Sequence, residues 1–380
     1  MRKQLKQQNK KVKKNKKNPL SWMITIFLFF VAVMIVPACD SAINDISAET
    51  VQSYVKEQRE IVLNNIEVET EPLPENSFFE IHYIDVGQAD SALVLCDGQA
   101  MLIDGGNGKD SSLIYSYLKS HDVSHLEYIV ATHAHEDHVG GLAGALNYAT
   151  VGTAYCSVDE YDSETFGDFV KYLAKQDKEI TIPNVGENFK LGSADVIILA
   201  VNGNAADHNN ASIVLRIKYG DTSFIFTGDA EREVEEKVLN SGYELESTVL
   251  KVGHHGSENS TSYAFLRQVA PKYAVISVGE DNIYGHPTED TLSRLRDADV
   301  KTYRTDLQGT IVCVSDGTEV SFSVERNEDA DYIGNTNTYK FHCSWCSSVK
   351  QMKESNKYYY NGTRDEMIGK GYAPCQNCNP

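Results

Sequence analysis

A chain of 380 residues, 41% of them apolar, can build a large core in more than one domain. Its net charge of −19 hides a split: nine of the 35 Lys and Arg lie in the first 17 residues, which contain no acid, and the other 26 face 54 Asp and Glu. An acidic body of that kind excludes loose, charge-driven attachment to nucleic acid as its main function.

Residues 1–18 are basic and polar, and Trp22 to Ala38 form an uncharged apolar run that ends at Cys39. The run is at the lower limit for a membrane span and long for a signal core. Its basic flank predicts a cytoplasmic N-terminus, with everything after Cys39 on the extracellular face of the cell membrane. Val36-Pro37-Ala38-Cys39 resembles a bacterial lipobox, which implies a lipoprotein lipidated on Cys39; an uncleaved membrane anchor is the other reading. Residues 1–39 are therefore a signal or anchor, and residues 40–77 a polar linker. A helix is expected over Glu49 to Ile66, with Pro72 and Pro74 near the linker's end.

A dense αβ pattern fills residues 78–326. Alternating or continuous apolar runs predict strands over Phe79 to Val86, Ser91 to Cys96, Ala100 to Ile103, Leu126 to Ala131, Val196 to Ala200 and Ser212 to Tyr219. Further strands are expected over Ser223 to Thr227, Thr248 to Val252, Tyr273 to Val278 and Thr310 to Val314. Helical spacing falls at Ser111 to Lys119, Ser163 to Lys175, Glu231 to Ser241, Ser262 to Val269 and Glu289 to Asp297. Hairpins first and strand–helix alternation later predict an α/β body of sheets covered by helices. Cys96, Cys156 and Cys313 lie in strand-like runs and are expected to be buried apolar residues.

The strand ending at Ala131 runs into Thr132-His133-Ala134-His135-Glu136-Asp137-His138-Val139-Gly140-Gly141. Four metal-capable side chains within six residues, at a strand end that turns into a helix, can converge on one point. His133 and His135 suit one ion, and Asp137 with His138 can face a second. Imidazole favours zinc, and added carboxylates widen the choice to manganese or iron. Later strands end in the same way: on Gly228-Asp229, on Gly253-His254-His255-Gly256, and near His286. Asp229 can bridge two ions or cap the helix that follows. Asp137 is a candidate to orient or deprotonate water. His254 and His255 are candidates to bind metal, to donate to an oxyanion or to protonate a leaving group. Asp85, Asp90 and Asp104 are placed to fix the ligand imidazoles.

These residues together resemble the metallo-β-lactamase superfamily. Within it, Ile84-Asp85-Val86-Gly87-Gln88-Ala89-Asp90-Ser91, Leu102-Ile103-Asp104-Gly105-Gly106, Asn209-Asn210-Ala211-Ser212 and Lys251-Val252-Gly253-His254-His255-Gly256-Ser257 resemble the extracellular hydrolase domain of the ComEC competence proteins. The resemblance implies a four-layered αβ/βα sandwich with two divalent ions, zinc or manganese, at one edge of the paired sheets. It departs at His135, where ComEC-like domains commonly carry Asp. It departs again at Asn209-Asn210, where many members carry a further ligand His; His208 is the nearest substitute. The multi-span channel of ComEC has no counterpart here, so DNA import is not implied.

Residues 335–380 form a polar, Cys-rich tail. His342-Cys343-Ser344-Trp345-Cys346 and Cys375-Gln376-Asn377-Cys378 have the form of a structural zinc site, and so small a module needs a metal or disulfides. The tail resembles the metal-binding domain of the DNA-repair protein Ada, and the spacing implied by that likeness selects His342, Cys346, Cys375 and Cys378 as ligands. Lys340, Lys350, Lys353, Lys357 and Arg364 are its candidates for contact with DNA. The sequence thus predicts an anchored, extracytoplasmic metal-dependent hydrolase with phosphodiesters, DNA among them, as substrate. A β-lactamase-like ester or amide hydrolase is the alternative enzyme, and a surface DNA-binding protein with a vestigial metal site is the non-enzyme alternative.

Overall fold

The structure is a computed structural model that describes residues 72–326, 331–343, 346–360 and 362–380. The expected signal or anchor with Cys39, and the helix expected over Glu49 to Ile66, lie outside the described residues. Among the described residues no helix is long and apolar enough to cross a membrane.

Two large sheets carry the body. The strands are β1 (Phe79–Tyr83), β2 (Ala92–Cys96), β3 (Gln99–Ile103), β4 (His125–Ala131), β5 (Thr150–Cys156), β6 (Ile180–Thr181), β7 (Asn188–Leu191) and β8 (Ala194–Ala200). They continue with β9 (Val214–Tyr219), β10 (Thr222–Phe226), β11 (Val249–Lys251), β12 (Tyr273–Ile276), β13 (Lys301–Arg304), β14 (Ile311–Ser315) and β15 (Val320–Val324). The first sheet runs β15-β14-β1-β2-β3-β4-β5-β6 and the second β13-β12-β11-β10-β9-β8-β7. Helices α1 (Ser111–Ser120), α2 (Glu136–Val139), α3 (Leu142–Tyr148) and α4 (Glu164–Ala174) follow strands of the first sheet. Helices α5 (Arg232–Leu239), α6 (Tyr263–Val269) and α7 (Glu289–Asp297) follow strands of the second.

Strand periodicity divides the side chains between layers. In β3, Met101 and Ile103 enter the core between the sheets, while Ala100 and Leu102 face α1 and α3. Phe79 of β1 stacks on Tyr219 and on Phe224 of the other sheet, both at 4.9 Å between ring centroids. A third cluster joins Ile225, Leu250 and Ile276 to Val234, Phe265 and Leu295 of the second helical layer. Helix, sheet, sheet, helix is the expected four-layered sandwich. Cys96, Cys156 and Cys313 are buried within it, and burial pushes the thiols of Cys96 and Cys156 up to about 11 and about 12.

Five strands are additional to those expected. In β5 the apolar alternation is interrupted by Gly152, and a Cβ there would lie 2.6 Å from the Glu127 carbonyl of β4, so the strand needs glycine. β13 and β15 lie at the ends of their sheets; β13, Lys-Thr-Tyr-Arg, is polar, and its charged residues guard an exposed edge. β6 and β7 are short strands at the opposite ends.

The tail forms its own four-stranded sheet in the order β18-β16-β17-β19, from β16 (Tyr332–Asn335), β17 (Lys340–Cys343), β18 (Lys357–Tyr360) and β19 (Ala373–Pro374). It therefore starts slightly before the expected Asn335. Its small core is Ile333, Val349, Cys346, Cys375 and Cys378. An ion pair between Lys301 of β13 and Asp331 ties it to the second sheet.

Candidate metal centre

The candidate ligands arrive from the carboxyl ends of β4, β10 and β11. β4 delivers His133 and His135, then α2 turns Asp137 and His138 back over the strand end. β10 delivers Asp229 through Gly228, whose φ is +51° and whose Cβ would lie 2.9 Å from Thr132; only glycine lets these two strand ends come so close. The helix after Asp229 starts at Arg232 with Glu231 as its N-cap, so Asp229 does not serve as the cap. β11 delivers His254 and His255 on a tight turn in which both have left-handed backbones, with φ of 49° and 52°.

His133 Nε2 and His135 Nδ1 lie 3.0 Å apart. Beside them, one donor atom each from Asp137, His138, Asp229 and His255 lie within 4.8 Å of one another. His138 Nε2 is 3.4 Å from Asp229 Oδ1, and His255 Nε2 is 3.4 Å from Asp137 Oδ2 and 3.7 Å from Asp229 Oδ2. Asp229 also acts electrostatically on His133 and His135, so the two groups are neighbours.

Each ring is held from behind. His138 Nδ1 lies 2.8 Å from Asp104 Oδ2, while Asp104 also accepts from the Thr132 amide and hydroxyl. His255 Nδ1 is 3.0 Å from the Ser277 carbonyl and 3.2 Å from Asp90 Oδ1, and Lys251 Nζ donates to Asp90 Oδ2 at 2.7 Å. A carbonyl can only accept, so once His255 is neutral, as metal binding requires, its proton sits on Nδ1 and its Nε2 lone pair faces the cluster. Asp90 and Asp104 thus fix ligand imidazoles. Asp85 instead pairs with Arg326 and receives the Gly87 amide, so that part of the expectation is corrected.

Charge and burial oppose each other here. Burial disfavours a proton on His138, yet Asp229, Asp104 and Asp137 outweigh it and hold its pKa well above normal. Burial also opposes the charge on His255, but Asp229 and Asp90 lift it to about 10. His133 lies well below its usual value, through burial first and the neighbouring His138 second. Burial would raise Asp137, but His138 and the nearby His255 ring bring it down to about 2. His138 Nε2, Asp229 Oδ1 and His255 Nε2 are buried without a hydrogen-bond partner. Orphaned buried lone pairs are costly, and a cation among them would satisfy all three, so the residues fit divalent metal.

Residues 84–280 match the family model described as Metallo-beta-lactamase superfamily. The chain belongs to this superfamily. It is 31% identical over 279 residues to ComE operon protein 3 of Bacillus subtilis (strain 168), covering 68% of this chain and 36% of that protein. It is 32% identical over 250 residues to Competence protein ComA of Neisseria gonorrhoeae, covering 63% and 33%. The metallo-beta-lactamase fold protein YhfI from Bacillus subtilis superposes with a TM-score of 0.43 at 10% identity, over 62% of this chain and all of that one. The chain spans about a third of the length of the curated relatives it matches. Family and donor set together make it a metal-dependent hydrolase related to competence proteins.

His255, a candidate to bind metal, stands within the four-donor group, whereas His286, expected as a ligand, is outside it. The reason is the turn after β11: the bond from Nδ1 to Ser277 aims the His255 ring inward. His286 instead lies against His254, with ring centroids 5.6 Å apart. His254 is partly exposed, with Nε2 3.7 Å from Asp229 Oδ2 and Nδ1 3.5 Å from Glu231 Oε1. At the position of the superfamily's further His, Asn210 Oδ1 accepts the Glu231 amide. His208 is exposed beside His135, with rings 5.8 Å apart, and both approach Tyr161.

In the tail, donor atoms of His342, Cys346, Cys375 and Cys378 lie within 4.8 Å of one another, and all four residues are buried. His342 Nδ1 has no hydrogen-bond partner, which again fits a cation. Burial would raise the Cys375 thiol, but the amides of Asn377 and Cys378 outweigh it and bring its pKa below normal, towards the thiolate that metal binding needs. Cys343 is half-buried outside this set, and all described cysteines are free thiols. Among the residues expected to contact DNA, Arg364 donates to the Pro380 carbonyl at 2.7 Å and is committed within the tail. Lys340 and Lys353 are exposed, and the side chain of Lys350 lies outside the described residues.

Proposed function

We propose that this chain is a membrane-anchored, extracytoplasmic phosphodiesterase that uses two adjacent divalent ions, zinc or manganese, and acts on DNA. The observation that carries the reading is Asp229. Its carboxylate belongs to the Asp137/His138/His255 group, has an unpartnered buried oxygen there, and is near enough to His133 and His135 to act on both electrostatically. Paired donor sets that share one carboxylate suit in-line displacement at a phosphodiester, and the competence names of its relatives favour DNA as the polymer. When bound, such ions polarise the phosphoryl oxygen and bring the pKa of water towards neutral.

The chain's own residues supply the rest. Asp137 is the member of the four-donor group whose side chain reaches the opening, at 32% exposure, so its carboxylate can accept a hydrogen bond from the attacking water. Its low pKa keeps it ionised for that task. His254 also faces the opening, at 21% side-chain exposure, and can donate a hydrogen bond to the departing oxygen. Asp104 and the Lys251–Asp90 pair hold His138 and His255 in their productive tautomers. In the tail, His342, Cys346, Cys375 and Cys378 would hold one structural zinc. Lys340 and Lys353 remain as its contacts for a long polymer.

Purified protein, supplied with zinc or with manganese, should be assayed on an oligonucleotide, bis(p-nitrophenyl) phosphate, a chromogenic ester and a chromogenic cephalosporin. Turnover of the phosphodiesters is expected; turnover of only the ester or the cephalosporin overturns the reading. Anchoring is tested separately, by incorporation of labelled palmitate at Cys39 and by protease added to intact cells.

A further inference from the structure

Between β12 and α7 the chain forms a loop that places two large side chains in water. Ile283 is 93% exposed and Tyr284 is 65% exposed. The loop is firmly built. Asn282 Nδ2 donates to the Gly279 carbonyl at 3.0 Å and to the His286 carbonyl at 2.6 Å, and Asn282 Oδ1 accepts the amides of Tyr284 and His286 at 3.2 and 3.0 Å. Both ends are fastened to the body: the Gly279 amide to Gln88 Oε1 and the Thr288 amide to the Gly256 carbonyl. A loop braced this way cannot easily fold its apolar side chains back onto the protein.

A ladder of rings connects this loop to the metal centre. Tyr284 lies nearly parallel to His286, at 27° and 5.8 Å, and His286 meets His254 edge to face at 5.6 Å. His254 is next to Asp229. The exposed end of the ladder is therefore contiguous with the metal centre through His286 and His254. Its charge shows what it takes: Glu280 and Asp281, both exposed, flank it and repel phosphate, so the loop suits an uncharged flat group next to the phosphate.

We infer that Tyr284, supported by Ile283, is the platform on which a nucleobase beside the scissile phosphodiester stacks. This deepens the phosphodiesterase reading and rests on it. Base–aromatic stacking tolerates any base, so the loop sets affinity for nucleotides without selecting sequence.

The test compares an oligonucleotide with an abasic strand of equal length and charge. Wild-type protein should show a KM about tenfold or more lower for the base-containing strand, the size expected of one stacked base. Tyr284→Ala should abolish that preference, and Tyr284→Trp should retain it. Equal KM values in the wild type, or a preference that survives in Tyr284→Ala, overturns the platform and leaves phosphodiester cleavage standing. If neither strand is cleaved, the phosphodiesterase reading fails. Anisotropy of the two labelled strands on metal-loaded protein then decides the platform by itself: a base preference lost in Tyr284→Ala supports it, and equal affinities reject it.

Discussion

At the residue scale the centre is a competition between protons and metal. The carboxylates that raise His138 and His255 are the ones that would attract a cation. With the His255 pKa at about 10 and that of His138 well above normal, both rings carry a proton at pH 7 in the metal-free protein. Loading the site at pH 7 should therefore release about two protons, and metal affinity should rise with pH until the rings deprotonate unaided. Calorimetry in buffers of different ionisation enthalpy measures that release; a release of zero would contradict the charge balance. Asp90→Asn should weaken metal binding about 10- to 100-fold through His255. Lys251→Met should cost about 3–5 kcal/mol in urea unfolding, because the buried Asp90 carboxylate loses its lysine partner and keeps only His255. His255→Ala should lower the bound metal per chain, and His286→Ala should not, which separates the two rings directly.

The densest part of this site was legible in sequence because its residues are neighbours in the chain. His133 to His138 occupy consecutive turns of one strand end, and spacing alone suggests convergence. The Lys251–Asp90 pair was not legible: the partners are 161 positions apart, Asp90 in a turn-like segment and Lys251 at the end of a strand, each with an ordinary local explanation. The exchange of His255 for His286 had the same cause. Both follow a strand, and only the carbonyl of Ser277, on the neighbouring strand's exit, aims one of them inward.

At the element scale, the strands of the sheet interiors were mostly legible and edge strands were not, including β15, whose Val-Ser-Phe-Ser-Val alternation was missed. β13 reads Lys-Thr-Tyr-Arg, which local pattern assigns to a loop; pairing with β12 makes it a strand. The core strands carry the stability. Phe224 is fully buried and stacks on Phe79 across the sheets, so Phe224→Ala should cost about 3–5 kcal/mol in urea unfolding. In the tail, the large buried apolar side chains are only Ile333, Phe341, Val349 and Met367 among the described residues, no more than the four buried donors, so metal should be needed to hold it. A chelator should expose the tail to protease and a reductant should not; the opposite pattern would assign it to disulfides.

At the scale of the whole molecule, the αβ/βα sandwich puts three strand ends at one edge, and that placement makes a scattered set of residues into one site. Sheets covered by helices were legible from hairpins followed by strand–helix alternation, and the four-layered order from the family resemblance. The inward aim of each ring was not, because it depends on contacts across the sheets. The account stands or falls on whether this centre cleaves phosphodiesters. The decisive measurement is cleavage of a single-stranded oligonucleotide by metal-replete wild-type protein and by Asp229→Ala, with bound metal determined for both. Cleavage by the wild type, with a loss of at least about 1,000-fold and of bound metal in the variant, is the predicted result. A wild-type protein that holds its metals and hydrolyses a chromogenic ester or cephalosporin, yet leaves the oligonucleotide and bis(p-nitrophenyl) phosphate intact, would contradict it.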